Sequence, residues 1–199
     1  MLKTFRESVC AGALIALGGS VFLGAENRTA GAVLFALALL CISYKGYYLY
    51  TGKVCYLRVH TLRSVGLMLL CGLSGNLLTV WLLGRLVCLA VPTLGLRAET
   101  LCAAKLEQSL LQTFLRGVFC GNLVYLAVSI FKENGSPLPI LYAVPAFILS
   151  GFEHSIADLF YFSAASVPGE TVLGFMAAVI IGNTLGGLAL PLLMPKEET

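Results

Sequence analysis

The chain has 199 residues, 58% of them hydrophobic and only 12% charged, with a formal net charge of +3. A soluble domain carries about 25% charged residues, so the composition excludes one; at about 20 apolar residues per crossing, the length suits six or seven membrane spans. No basic run interleaved with aromatics points to nucleic acid, and the seven cysteines stand singly with no CxxC pair, which argues against a disulfide framework.

Taken in chain order, the first apolar segment covers residues 7–24 behind Lys3 and Arg6. That start mimics a secretory signal, but no clear cleavage pattern follows, and Gly12, Gly18 and Gly19 suit a packed membrane helix. The second segment, 30–50, runs into an interruption, Leu49-Tyr50-Thr51-Gly52. A polar connection with Arg58, His60 and Arg63 leads to the third, 64–90, which carries Gly75-Asn76. Beyond Arg97 and Lys105 comes the fourth, 106–131, closed by the turn signal Glu133-Asn134-Gly135-Ser136-Pro137. The fifth, 139–162, contains Gly151-Phe152-Glu153-His154-Ser155 and no Lys or Arg. The sixth, 171–193, carries Gly182-Asn183-Thr184-Leu185-Gly186-Gly187.

His154 is the residue of greatest functional weight. An ionisable group deep in a membrane segment is costly and marks a polar cavity or pathway by default. The glycine ahead of it signals a broken helix, and imidazole exchanges protons near neutral pH. No second histidine or cysteine cluster stands near it to complete a metal site, and Ser155 beside it is badly placed for a protease pair, so neither an enzyme nor a cofactor is expected. Glu153 adjoins it, but neighbours on a helix do not share a face; it reads as a buried acceptor steadying the broken loop. Lys105, judged by spacing, reads as an interfacial lysine snorkelling to water.

Basic residues bias the orientation. With the N-terminus inside, Lys3, Arg6, Lys53, Arg58, Arg63, Lys132 and Lys196 fall on the cytoplasmic side, which places both termini there. The order of break and Gly-Asn recurs in each half, at Leu49–Gly52 with Gly75-Asn76 and at Gly151–His154 with Gly182-Asn183. Halves of three spans each have opposite orientations, the arrangement of an inverted repeat with paired broken helices at the bilayer midplane. The expected fold class is an all-α membrane protein with six transmembrane helices in a 3+3 inverted repeat. It forms a single channel domain over 1–199, with repeats at about 5–95 and 100–195.

Four segments carry a family resemblance: Gly46-Tyr47-Tyr48-Leu49-Tyr50-Thr51-Gly52, Arg116-Gly117-Val118-Phe119-Cys120, Gly151-Phe152-Glu153-His154-Ser155-Ile156-Ala157 and Gly182-Asn183-Thr184-Leu185-Gly186-Gly187. In this order, over almost the whole chain, they resemble the formate/nitrite transporter family of formate, nitrite and hydrosulfide channels. The resemblance implies an aquaporin-like fold with helices 2 and 5 broken around Leu49–Gly52 and Gly151–His154. It also implies a homopentamer in a lipid bilayer, such as a bacterial inner membrane, with a pore in every subunit. It makes His154 the pore histidine, Thr51 its partner and Lys105 a vestibule lysine, and Asn183 of the last motif is taken with them as a pore or substrate-binding residue. The constriction maps onto Phe35, Leu39, Leu49, Tyr50, Val124 and Phe147. Tyr50 stands where the family has Phe, Asp158 where it has Asn, and the asparagine of the fourth span falls on Gly121, with Asn122 one place on. The chain is short for the family, so a pore-plugging N-terminal segment is not expected.

The implied activity is transport of a small monovalent weak-acid anion, formate, nitrite or hydrosulfide in type, linked to protonation at His154. Two other readings stand beside it: an aquaporin-like pore for a neutral solute, against which the missing paired Asn-Pro-Ala motif counts, and a structural membrane subunit.

Overall fold

The computed structural model describes residues 1–55 and 62–193, so Arg58, His60 and Lys196 lie outside the described residues. Within them the chain is helical: α1 (Leu2–Gly24), α2 (Arg28–Lys45), α3 (Tyr50–Lys53), α4 (Leu62–Ala90), α5 (Pro92–Leu106), α6 (Leu110–Asn134), α7 (Leu138–Ser150), α8 (Ser155–Ala164) and α9 (Gly169–Leu193). Five of these are long and apolar enough to cross a bilayer, and α7 with α8, bent by 55° at their break, is a sixth apolar segment that forms a broken span or a re-entrant loop. The protein is an integral membrane protein with the six apolar segments expected.

Local chemistry explains the ends. Asn27 caps α2 by accepting from the Ala30 N–H, and Ser109 with Gln112 forms a reciprocal capping box on α6. Helices α2 and α7 stop at Gly46 and Gly151, whose φ values of 66° and 71° are left-handed. A side chain there would be strained, which is why both breaks begin at glycine.

The structure corrects two boundaries. The first break occupies residues 46–49 instead of 49–52, because the chain after Leu49 returns to a helical turn, α3, whose Tyr50 N–H is satisfied by Asn76. The stretch before the fourth span is itself a helix, α5, with Pro92 in its first turn. It carries Arg97, Glu99 and Lys105, so its hydropathy pattern does not read as a span.

Asn76 and Asn183 hold the two breaks by the same device. The Asn76 side chain accepts from the Tyr50 N–H at 2.8 Å and donates to the carbonyls of Tyr48 at 3.0 Å and Ser8 at 2.8 Å. Asn183 accepts from the Ser155 N–H at 2.9 Å and donates to the carbonyls of Glu153 at 2.8 Å and Gly117 at 2.9 Å. Each amide thus satisfies the first N–H of the outgoing helix, a carbonyl two residues earlier and a carbonyl of a third helix. With no water in the hydrocarbon to serve them, broken backbone groups need such internal partners.

Helix α1 packs on α2 and α4, and α6 packs closely on α9. A Cβ on Gly182 would lie 2.5 Å from the Phe114 carbonyl oxygen, and one on Gly117 3.1 Å from that of Val179. Small residues are therefore a packing requirement along this seam.

Candidate pore and vestibule

Three cavities lie in order along α2. The first, about 190 Å³, is lined by Arg28 and Phe35 of α2 together with Lys105, Arg116, Phe147, Glu153, His154 and Asp158. The second is only about 10 Å³ and is walled by Ile15, Phe35, Leu39, Val144, Phe147 and His154. That volume is near the minimum for a single water. The third, about 220 Å³, is lined by Leu39, Ile42, Leu49, Lys53, Phe131 and Lys132 among others. Phe35, Phe147 and His154 are shared by the first two cavities, and Leu39 by the second and third. Arg28 and Gly46 are 18 positions apart at the outer ends of this line, which a helical rise converts to about 27 Å, close to the hydrocarbon thickness of a bilayer.

His154 is the polar side chain of the narrow chamber, 4% exposed. It also caps α8, its Nδ1 accepting from the Ala157 N–H at 3.3 Å. With Nδ1 occupied as an acceptor, the ring proton sits on Nε2, which donates to Thr51 Oγ1 at 2.9 Å. Phe147 stacks on the imidazole, with centroids 5.6 Å apart and planes 13° apart. Thus α3 supplies Thr51 and the second break supplies His154, and the two interrupted helices meet at one hydrogen bond.

Around the first cavity, Lys105 binds two carboxylates. Its Nζ donates to Glu153 Oε2 and, at 2.9 Å, to Asp158 Oδ1. Glu153 Oε1 accepts from Gln108 Nε2 at 2.7 Å, with Arg116 at 4.0 Å. Arg28 donates to the Ile148 carbonyl, near the end of α7, at 3.2 Å. Burial works against the Lys105 charge, but Asp158 and Glu153 more than reverse this and hold its pKa above the usual lysine value. Lys105 is fixed by charge pairing as well as placed at the cavity.

The remaining expected residues divide. Phe35, Phe147 and Leu39 separate the chambers, and Leu49 lines the third cavity. Val124 is buried without lining any of the three. Tyr50 packs with Val54, Val65 and Leu69, and its hydroxyl meets Thr184 Oγ1 at 2.7 Å, away from the chambers. Asn183, expected at the pore, lines none of the three cavities because its amide is taken up by the backbone of the second break, and Asn122 donates to Val118 of its own helix at 3.1 Å. Sequence reasoning marked Gly75-Asn76 as a repeat without giving Asn76 the backbone-holding role it shares with Asn183, and it missed Gln108 on Glu153 and the Lys53 and Lys132 pair at the third cavity. The recurrence of Gly-Asn was the available signal for the first.

This is the architecture of a helical membrane channel or transporter, and the comparisons with known proteins make the class specific. The profile of the formate/nitrite transporter family matches residues 1–195. An uncharacterised transporter of Bacillus subtilis, YwcJ, is 30% identical over 88% of this chain and 77% of its own length. Formate-nitrite transporter 2 of Toxoplasma gondii is 32% identical over 79% of this chain and 38% of its own. Among solved structures, a pentameric formate channel with formate bound superposes with a TM-score of 0.81 at 24% identity, covering 95% of this chain and 93% of that one. An ion channel of the same family gives 0.82 at 22% identity, covering 95% and 87%. The chain belongs to the formate/nitrite transporter family, whose members are channels and transporters, not enzymes.

Proposed function

We propose that the chain carries a small weak-acid anion, formate or nitrite in type, along the three cavities and passes the narrow chamber with that anion neutralised by a proton. The carrying observation is the alternation of charge and apolarity. Arg28, Lys105 and Arg116 outnumber Glu153 and Asp158 at one mouth, Lys53 and Lys132 line the other, and an apolar chamber with His154 lies between.

An anion gains from cations at either mouth, but a bare charge in the dry middle loses its hydration. Taking up a proton there removes that cost. Ala157 occupies Nδ1, so Nε2 is the nitrogen open to exchange, and a relay in at one ring nitrogen and out at the other is closed. Water in the larger cavity is therefore the proton source. His154, with Thr51, offers the polar contact at the narrowing. A solute larger than water must displace Phe35, Leu39 or Phe147, which makes these aromatic and aliphatic side chains the gate.

The whole chain works as a single transmembrane unit. The matched Asn76 and Asn183 devices support its reading as two inverted halves. Five copies, each with its own pore, assemble in a bacterial cytoplasmic membrane with both termini inside; the basic residues Lys3, Arg6, Lys53 and Lys132 support that orientation.

The test is uptake of formate, nitrite, hydrosulfide and acetate into proteoliposomes between pH 5 and 8. The expected result is saturable uptake of at least one anion, rising with acidity and falling at least tenfold in His154→Asn. Equal flux in both proteins removes His154 from the mechanism; no flux of any anion returns the reading to a neutral-solute pore or a structural subunit.

A further inference from the structure

In the cluster at the first cavity Lys105 serves two carboxylates and Arg116 stands 4.0 Å from one of them, Glu153, and the two carboxylates are not equally satisfied. Both Glu153 oxygens have partners, in Lys105 and Gln108. Asp158 Oδ1 has Lys105, but Asp158 Oδ2 is buried with no hydrogen-bond partner. The residue is 2% exposed and lines the cavity beside His154. An ionised carboxylate has acceptor sites on both oxygens, and leaving one oxygen dry and unpartnered is costly. A proton on Oδ2 removes that cost and takes one negative charge from a cluster whose other charges are Lys105, Arg116 and Glu153.

We propose that Asp158 is a proton-operated gate for anion entry: a proton on Oδ2 leaves the cavity wall one unit more positive and admits the anion, and its loss restores a negative charge beside the path that weakens the anion's attraction. This rests on the transport reading above. Asp158 acts through the field and is a positioning residue, since its free oxygen is buried from the cavity space. The proton comes from water and returns to water, and no other bond changes.

The groups facing Asp158 are few. Lys105 and Cys102 act from α5, Glu153 from the break, Tyr161 from α8 itself and Cys120 from α6. His154, Arg28 and Arg116 line the same cavity. Lys105 holds its charge, as argued above, so the balance of the cluster is left to the carboxylates.

The experiment compares KM for formate between wild type and Asp158→Asn in proteoliposomes from pH 5 to 8. The ratio at each pH cancels the titration of formate itself. The expected outcome is a KM about tenfold lower in the variant at pH 8, the size of one partly screened charge a few ångströms away, and within twofold at pH 5. A ratio that does not change with pH overturns the gate while leaving transport intact. Absence of formate flux in wild type at every pH counts instead against the transport reading. If Asp158→Asn does not assemble, or if flux is absent, infrared spectroscopy of wild type carrying 13C-labelled aspartate carboxyls decides. A protonated-carboxyl band that bleaches between pH 5 and 8 supports the gate, and no such band overturns it.

Discussion

In the proposed pathway Thr51 sets what the imidazole of His154 can offer. Its Oγ1 accepts the Nε2 proton at 2.9 Å, so the threonine hydroxyl keeps its own hydrogen for a passing solute. Thr51→Val keeps the shape and removes both functions. Losing a buried hydrogen bond costs about 1 kcal/mol, and flux is expected to fall about fivefold or more at pH 6 with the assembly intact; unchanged flux would remove Thr51 from the pathway. Lys105 belongs to the same scale. Its pKa is raised on folding, so its stabilising contribution is complete below the unfolded value and is lost only as pH rises through the folded one. Lys105→Met strands two buried carboxylates, for which breaking a buried pair sets a scale of about 3–5 kcal/mol. The drop in thermal stability in detergent is expected to be alike at pH 7 and pH 8. A loss that vanishes between those values would show that the ammonium is neutral there.

Among the elements, the breaks matter most. Each interrupted helix exposes backbone groups inside the bilayer, and one asparagine amide collects three of them. Asn76→Ala and Asn183→Ala each leave an N–H and two carbonyls unserved, at about 1–3 kcal/mol per stranded group. Both variants are expected to lose several degrees or more in melting temperature, with Asn183→Ala also releasing the Glu153 carbonyl and disturbing the His154 site. A stable, active Asn183→Ala would mean the loop is held by helix packing alone. The α6–α9 seam is the second element-level requirement: Gly182 lies against the Phe114 carbonyl, so Gly182→Ala is expected to destabilise more than Gly174→Ala, whose Cβ would meet only Leu110 at 3.6 Å.

On the scale of the molecule, the outward faces are strongly apolar: Leu17, Leu70, Leu78, Leu82 and Leu185 are all exposed on the single chain. Such surfaces must meet lipid or a neighbouring copy. The proposed pentamer predicts a particle of five 21.2 kDa chains by native mass spectrometry in mild detergent; a monomer under those conditions would count against it. The line of cavities runs within one chain, which is consistent with a pore in every subunit.

Much of this was legible before any coordinates. Apolar runs of span length, the glycines at the breaks and the intramembrane histidine are local signals. Bilayer thickness turns them into a helical membrane protein with six apolar segments, and the cost of buried charge makes His154 the residue to test first. What the chain could not disclose locally was pairing at long range. Lys105 meets Glu153 and Asp158, 48 and 53 positions away, and Thr51 meets His154 across 103. The side chain of Tyr50 turned from the chambers to Thr184 because the first break falls earlier than its composition suggested. Helix α5 was hidden because a polar helix folded against the span ends lacks the hydropathy of a crossing. Sequence by itself determined the apolar segments and the second break at Gly151, because each depends on a residue and its immediate neighbours. Tertiary structure alone decided which charges share a cavity and which oxygen is left without a partner, because those depend on how separate helices meet.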